Sequence, residues 1–121
     1  MSYNVTNWNV KRIENLVIPV DSLFKCERTD WHPKRQDYDD GTIIFRLGEC
    51  EIVGIIEGKN LLVNDIDWFG ECSGTGMNLV LEPALIDSKG ILEVIIVWEG
   101  GDSIQRLTVI DGEVELEEIE L

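Results

Sequence analysis

The stretch Ile91-Leu-Glu-Val-Ile-Ile-Val-Trp98, continued by Glu99-Gly-Gly-Asp102, Ser103 to Ile110, Asp111-Gly112 and Glu113 to Ile119, decides the fold class. Its first segment is β-branched and aromatic and too short for a typical helix. Leu92, Val94, Ile96 and Trp98 alternate along it, and alternate residues of a strand share a face, so these four are the core candidates. Glu99 to Asp102 reads as a turn, and Ser103 to Ile110 as a second strand. Asp111-Gly112 is a two-residue hairpin signal, because a type I′ turn needs positive φ at both positions. Glu113 to Ile119 is then a third strand. Its alternation breaks at Glu118-Ile119, where a bulge or fraying would restore the phase. The three strands make an antiparallel meander.

Upstream, Thr42 to Leu47, Cys50 to Ile56 and Leu61 to Trp68 are apolar runs punctuated by Gly48-Glu49 and Glu57-Gly-Lys-Asn60. Met77 to Glu82 is a further candidate strand ended by Pro83, since proline cannot donate to a ladder. Gly70 to Gly76 reads as a flexible loop and Asp87 to Gly90 as a turn. Nearer the start, Trp8 to Ile13 and Asn15 to Val20 form one bent strand or two. Asp21 is placed to cap a single helical turn through Cys26. Residues 29–41 carry almost no aliphatic side chain and read as one long exposed loop, a length that is often functional or mobile.

About seven to nine short strands and at most one short helix predict a mainly-β chain, an antiparallel sandwich or small barrel. No helical stretch separates the strands, which argues against βαβ units and a parallel sheet. The chain has 121 residues without internal repeat or linker, so residues 1–121 are expected to form a single domain.

Charge is the outlying feature. Twenty-four acids against ten Lys and Arg give a net charge of -14. Residues 1–40 carry six bases and seven acids, whereas residues 41–121 carry four bases and seventeen acids. Such a body repels phosphate backbones and anionic membrane surfaces and attracts basic partners. Solubility alone is the plainer reading of the same charge. No apolar run is long enough for a spanning helix, and no basic-then-apolar leader is visible at the start. Cys26, Cys50 and Cys72 are odd in number and lack CxxC spacing, which fits reduced thiols and a cytoplasmic location.

Motifs for chemistry are weak. His32, in Trp31-His32-Pro33, is the one histidine, and its pairing with Cys26 or Cys72 as a nucleophile has no support in the spacing. Asp37-Tyr38-Asp39-Asp40-Gly41 resembles a calcium loop only superficially. Counted from Asp37, position 5 is Gly41, position 6 is Thr42 and position 12 is Gly48, so the ligand pattern fails, and a solvated turn is the simpler reading. Gly70 to Gly76 lacks the lysine of a phosphate-binding loop. Asp65 and Asp67 share a strand face opposite Ile66 and Trp68. They would serve acid–base work inside a cavity, but more simply face solvent while Ile66 and Trp68 face the core. No metal or cofactor is implied by any of these.

Three functional classes follow. The first is a non-enzymatic acidic interaction protein, such as an immunity-type inhibitor of a basic protein. Trp31, His32, Asp37, Tyr38, Asp39 and Asp40 on the loop, with Asp65 and Asp67, are its candidate contacts, and Trp31 and Tyr38 its anchors. The second is a small-molecule carrier or sensor with Trp8, Trp31, Trp68 and Trp98 lining a barrel mouth. The third, least supported, is an enzyme using Asp65 and Asp67. The five glutamates of Glu113 to Glu120 read either as edge protection or as an acidic binding face. An edge strand is also a route to a homo-oligomer.

Overall fold

The computed structural model describes residues 2–25, 34–47, 50–68, 70–73, 81–98 and 104–119. The chain is mainly β. Among the described residues nine strands run as β1 (Ser2–Pro19), β2 (Lys34–Asp37), β3 (Ile43–Leu47), β4 (Cys50–Glu57), β5 (Asn60–Trp68), β6 (Gly70–Ser73), β7 (Lys89–Trp98), β8 (Ile104–Ile110) and β9 (Glu113–Glu118). A 3-10 turn spans Val20–Phe24, and one four-residue helix, α1, spans Glu82–Leu85. Every pairing is antiparallel, within a single sheet ordered β2-β3-β4-β5-β1-β7-β8-β9, with β6 also on β1. Among the described residues β2 and β9 end this order and do not pair with each other, so the sheet is open.

The meander β7-β8-β9 forms as its residues dictate. Asp111 and Gly112 have φ of 48° and 88°, the positive pair that matches the twist of the flanking strands. Leu92, Val94 and Ile96 are fully buried, while Trp98 packs half-buried against them. No bulge intervenes at Glu118. The β8–β9 register runs unbroken from Ile110↔Glu113 to Gln105↔Glu118, and the Ile119 N–H donates to the Ile104 carbonyl at 2.9 Å. Glu118 therefore lies on the side of Leu116, beyond the part of the core that would demand an apolar residue.

β1 is one strand, bent by register shifts at Val5/Asn7, Val10/Arg12 and Glu14/Val17, with Asn15 at φ 48°. It holds the two halves of the sheet together. Along β7 it pairs from Val5 to Val17. On its other side, Val17 to Pro19 meets β5 and Ser2 to Val5 meets β6. Between those two contacts the Trp8 indole N–H donates to the Ile66 carbonyl at 2.9 Å, and the Trp8 and Trp68 rings lie 6.1 Å apart. The halves thus fold over a common core. Phe45, Ile52, Ile66 and Trp68 come from one side, and Leu92, Ile96, Leu107 and Val109 from the other. Leu81, Ala84 and Leu85, around α1, belong to the same cluster.

Four local expectations are corrected. Residues 34–37 of the supposed loop pair with β3 as strand β2, because a neighbouring backbone supplies what their polar side chains do not. Gly70 to Ser73 pairs with β1 and is not loop. Leu81 and Glu82 enter α1 rather than ending a strand, with Pro83 in the first turn where its missing N–H costs nothing. The rest of Met77 to Glu82, and residues 74–76, lie outside the described residues. Asp21 lies within the 3-10 turn and does not cap it, since that turn starts at Val20 after Pro19 and has no side-chain cap.

Candidate functional site

Trp31 and His32 lie outside the described residues, as do Cys26 and the Cys72 side chain. Cys50 is buried in the core. Asp37, Tyr38, Asp39 and Asp40 lead from β2 into β3. The Tyr38 N–H donates to the Thr42 carbonyl at 2.9 Å and the Gly41 N–H to the Tyr38 carbonyl at 3.1 Å. Gly41 takes the left-handed φ of 91° that closes the turn. Asp40 Oδ1 accepts the Thr42 N–H at 2.9 Å, which holds the Asp40 pKa below its ordinary value. Asp37 is gripped by the Arg35 guanidinium at 2.8 and 3.1 Å, and the Arg35 hydrogen bond pulls its pKa down. Asp40 thereby holds the turn, while Asp37 is engaged by Arg35 two residues away on the same strand. Arg35 also lies 5.8 Å from the Phe45 ring centroid, so the Arg35–Asp37 pair caps the core at this edge.

Asp65 and Asp67 are exposed on the outer side of β5, while Ile66 and Trp68 are buried. A bulge at Val53/Gly54 places the extra residue Asn64 between Val63 and Asp65, which keeps both aspartates on that outer side. Asp65 Oδ1 accepts the Ile66 N–H at 3.0 Å. Asp67 stands opposite Glu51, itself opposite Arg46, which is opposite Lys34. One cross-strand row therefore passes from cation at the β2 edge to carboxylate at β5. Three strand spacings, about 14 Å, separate β2 from β5, so the sheet does not bring Asp65 and Asp67 together with the Asp37 to Asp40 turn. Among the described residues, no group of three or more His, Cys, Asp or Glu converges as a metal-ligand set. Three of the four tryptophans, Trp8, Trp68 and Trp98, pack in or against the core.

A second carboxylate group lies at the opposite edge. On the outer face of the meander, Glu113 is opposite Ile110, Glu115 opposite Thr108 and Glu117 opposite Arg106. Arg106 donates to Glu117 at 2.9 Å. Among the described residues no cation pairs with Glu113 or Glu115. Ile91, Ile95, Val97, Ile104 and Ile110 share this outer face, with Ile110 half exposed. On the other side of β9, Val114 packs on the core but Leu116, one step further, is 45% exposed. Glu113, Glu115, Ile110 and Leu116 were not evident as a group from sequence. The Glu-Val-Glu-Leu-Glu alternation signalled a strand, but which side stayed uncovered depended on where the opposite layer ends.

A third cluster joins remote segments. Asp87 accepts from Lys25 Nζ at 2.5 Å and from the Ser22 hydroxyl at 3.3 Å. Lys25 holds the Asp87 pKa below its ordinary value. It ties the 3-10 turn to the segment after α1, and both its charged groups are about half exposed. With this geometry in hand, comparison with known protein families, curated proteins and solved structures finds no match for the chain. No helix among the described residues is long and apolar enough to cross a membrane.

Proposed function

We propose that this chain is a non-enzymatic acidic interaction protein that binds a basic protein partner. The observation that supports this reading is the β9 margin of the sheet. There Glu113 and Glu115 carry charge with no described counter-ion, beside the exposed side chain of Ile110 on the same face and with the exposed Leu116 on the other face of the strand. Charge of one sign steers encounter, and adjoining apolar surface supplies the contact energy that charge alone does not. The turn residues Asp37 and Asp40 are engaged within the fold, so they contribute less to this reading than Glu113 and Glu115. An immunity-type inhibitor is one form such a protein takes. A cytoplasmic location belongs to the same proposal, motivated by three cysteines without framework spacing.

The test is capture of small basic proteins on the immobilised chain at low and at elevated ionic strength. Binding that weakens steeply as salt rises from about 20 mM to about 300 mM is expected, because the Debye length falls below the spacing of the charges. Absence of any basic partner at low salt overturns the proposal.

A further inference from the structure

Resting on that reading, we propose that the basic partner is recognised by strand addition: an extended segment with alternating basic and apolar residues pairs with the outer edge of β9. Among the described residues β9 ends the sheet, so one of its sides meets no described strand. Antiparallel pairs alternate between bonded and non-bonded residues. The Ile119 N–H bond to Ile104 fixes that phase. Glu113, Glu115 and Glu117 turn their backbone groups toward β8, and Val114, Leu116 and Glu118 turn theirs outward. The free edge is therefore a row of donors and acceptors in strand geometry.

The side chains on either side of that row state what would fit. Glu113, Glu115 and Glu117 stand on the outer face, and Arg106 engages Glu117 alone. Cross-strand neighbours lie close enough for opposite charges to attract and like charges to repel. A strand carrying Lys or Arg at alternate positions would meet these carboxylates, and its intervening apolar residues would lie against Leu116 on the other face. A second copy of β9 would set glutamate against glutamate. Charges on an edge usually block every strand; here a single sign blocks acidic strands, including the chain's own, and admits basic ones. The β2 edge offers no such surface. It is four residues long, carries both signs, and spends Arg35 and Asp37 on each other.

The experiment uses the full chain and an acetylated, amidated Lys-Val-Lys-Val-Lys peptide, with three comparisons. One peptide is N-methylated on its valines, the residues that would bond to Val114, Leu116 and Glu118, so it keeps charge but loses the donors of that edge. One has glutamate in place of lysine. The third comparison is the L116P variant, which removes one outward N–H while leaving the bonds to β8. Circular dichroism and a urea transition establish that it folds. The expected result is binding of the lysine peptide, weakened about tenfold or more by N-methylation and by L116P, and no binding of the glutamate peptide. In a β9 double variant, E113Q with E115Q, lysine-peptide binding weakens and loses most of its salt dependence. Equal binding of the methylated and unmethylated lysine peptides overturns strand addition and leaves the basic-partner reading standing. Capture of basic proteins without any peptide binding does the same. Equal binding of the glutamate peptide, or self-association of the chain through β9, overturns the charge selection. Failure to bind both peptide and basic proteins at low salt overturns both proposals.

Discussion

A methyl group at Gly90 would sit 2.2 Å from the Asn15 carbonyl oxygen, and Gly90 has a left-handed φ of 94°. The close approach exists because β7 pairs with β1 at the bulge where Asn15 also has positive φ. Gly90 is held there by Asp111, whose N–H donates to the Gly90 carbonyl and whose Oδ1 accepts the Gly90 N–H, both at 3.0 Å. Gly90→Ala is expected to cost more than about 2 kcal/mol in urea unfolding, since strain and clash add. Gly41→Ala, with an equally positive φ but nothing within 4 Å, should cost only about 1 kcal/mol. Similar losses at the two positions would refute the packing argument. The glycine at 90 reads from sequence as the end of a turn begun at Asp87, whereas it lies within β7, against Asn15 seventy-five positions away. At the same scale, Asp37, Asp40 and Asp87 all have folded pKa values below their ordinary 3.8. A depressed carboxylate contributes stability that is present above its unfolded value and lost as pH falls through its folded one. The contribution of these carboxylates should therefore be lost as pH falls below about 4, so Asp87→Asn should lose less, or gain more, stability over that window than the parent chain. An unchanged pH dependence in Asp87→Asn would show that the Lys25 contact contributes nothing.

Strands were legible wherever both faces of the sheet imposed a pattern. β3, β4, β5, β7 and β8 fall within two residues of the apolar runs that predict them, because one side of each must meet the core. β2 and β6 were not legible. Lys34-Arg-Gln-Asp37 and Gly70-Glu-Cys-Ser73 have neither β-branched content nor alternation, and they are strands only because β3 and β1 offer an edge. Composition could not supply that. The difference between edge and interior can be checked with proline. Leu107→Pro should abolish cooperative folding, because β8 bonds to strands on both sides. Proline at Leu116 should fold, because that N–H faces outward. Two folded variants would refute the assignment of β8 to the sheet interior.

For the whole molecule, the mainly-β class and the acidity were readable at once, and the candidate site only in part. Asp65 and Asp67 lie on the solvent side, as their alternation with Ile66 and Trp68 implied. The glutamates of β9 gained meaning only when the sheet order made β9 an edge. A net charge of -14 on 121 residues repels itself more when compact than when unfolded. Added sodium chloride, from about 10 mM to about 200 mM, should therefore raise Tm by several degrees in differential scanning calorimetry. A fall over that range would mean that attractive pairs such as Arg12–Glu14 and Arg106–Glu117 outweigh the net repulsion.

The position of β1 in the sheet also governs the order of events in time. β1 comes first in the chain, yet its partners are residues 60–73 and 89–98. The hairpins β3-β4-β5 and β7-β8-β9 each close over short loops and can form independently. Neither can shield its apolar side until the first strand is drawn between them, and loop closure of that length is slow. During synthesis, Trp8, Val10 and Ile13 emerge and must wait for strand partners some eighty positions later. In that interval the net negative charge of the following chain would make nascent copies repel one another, so the acidity proposed to select a partner would also bear on the chain while it folds.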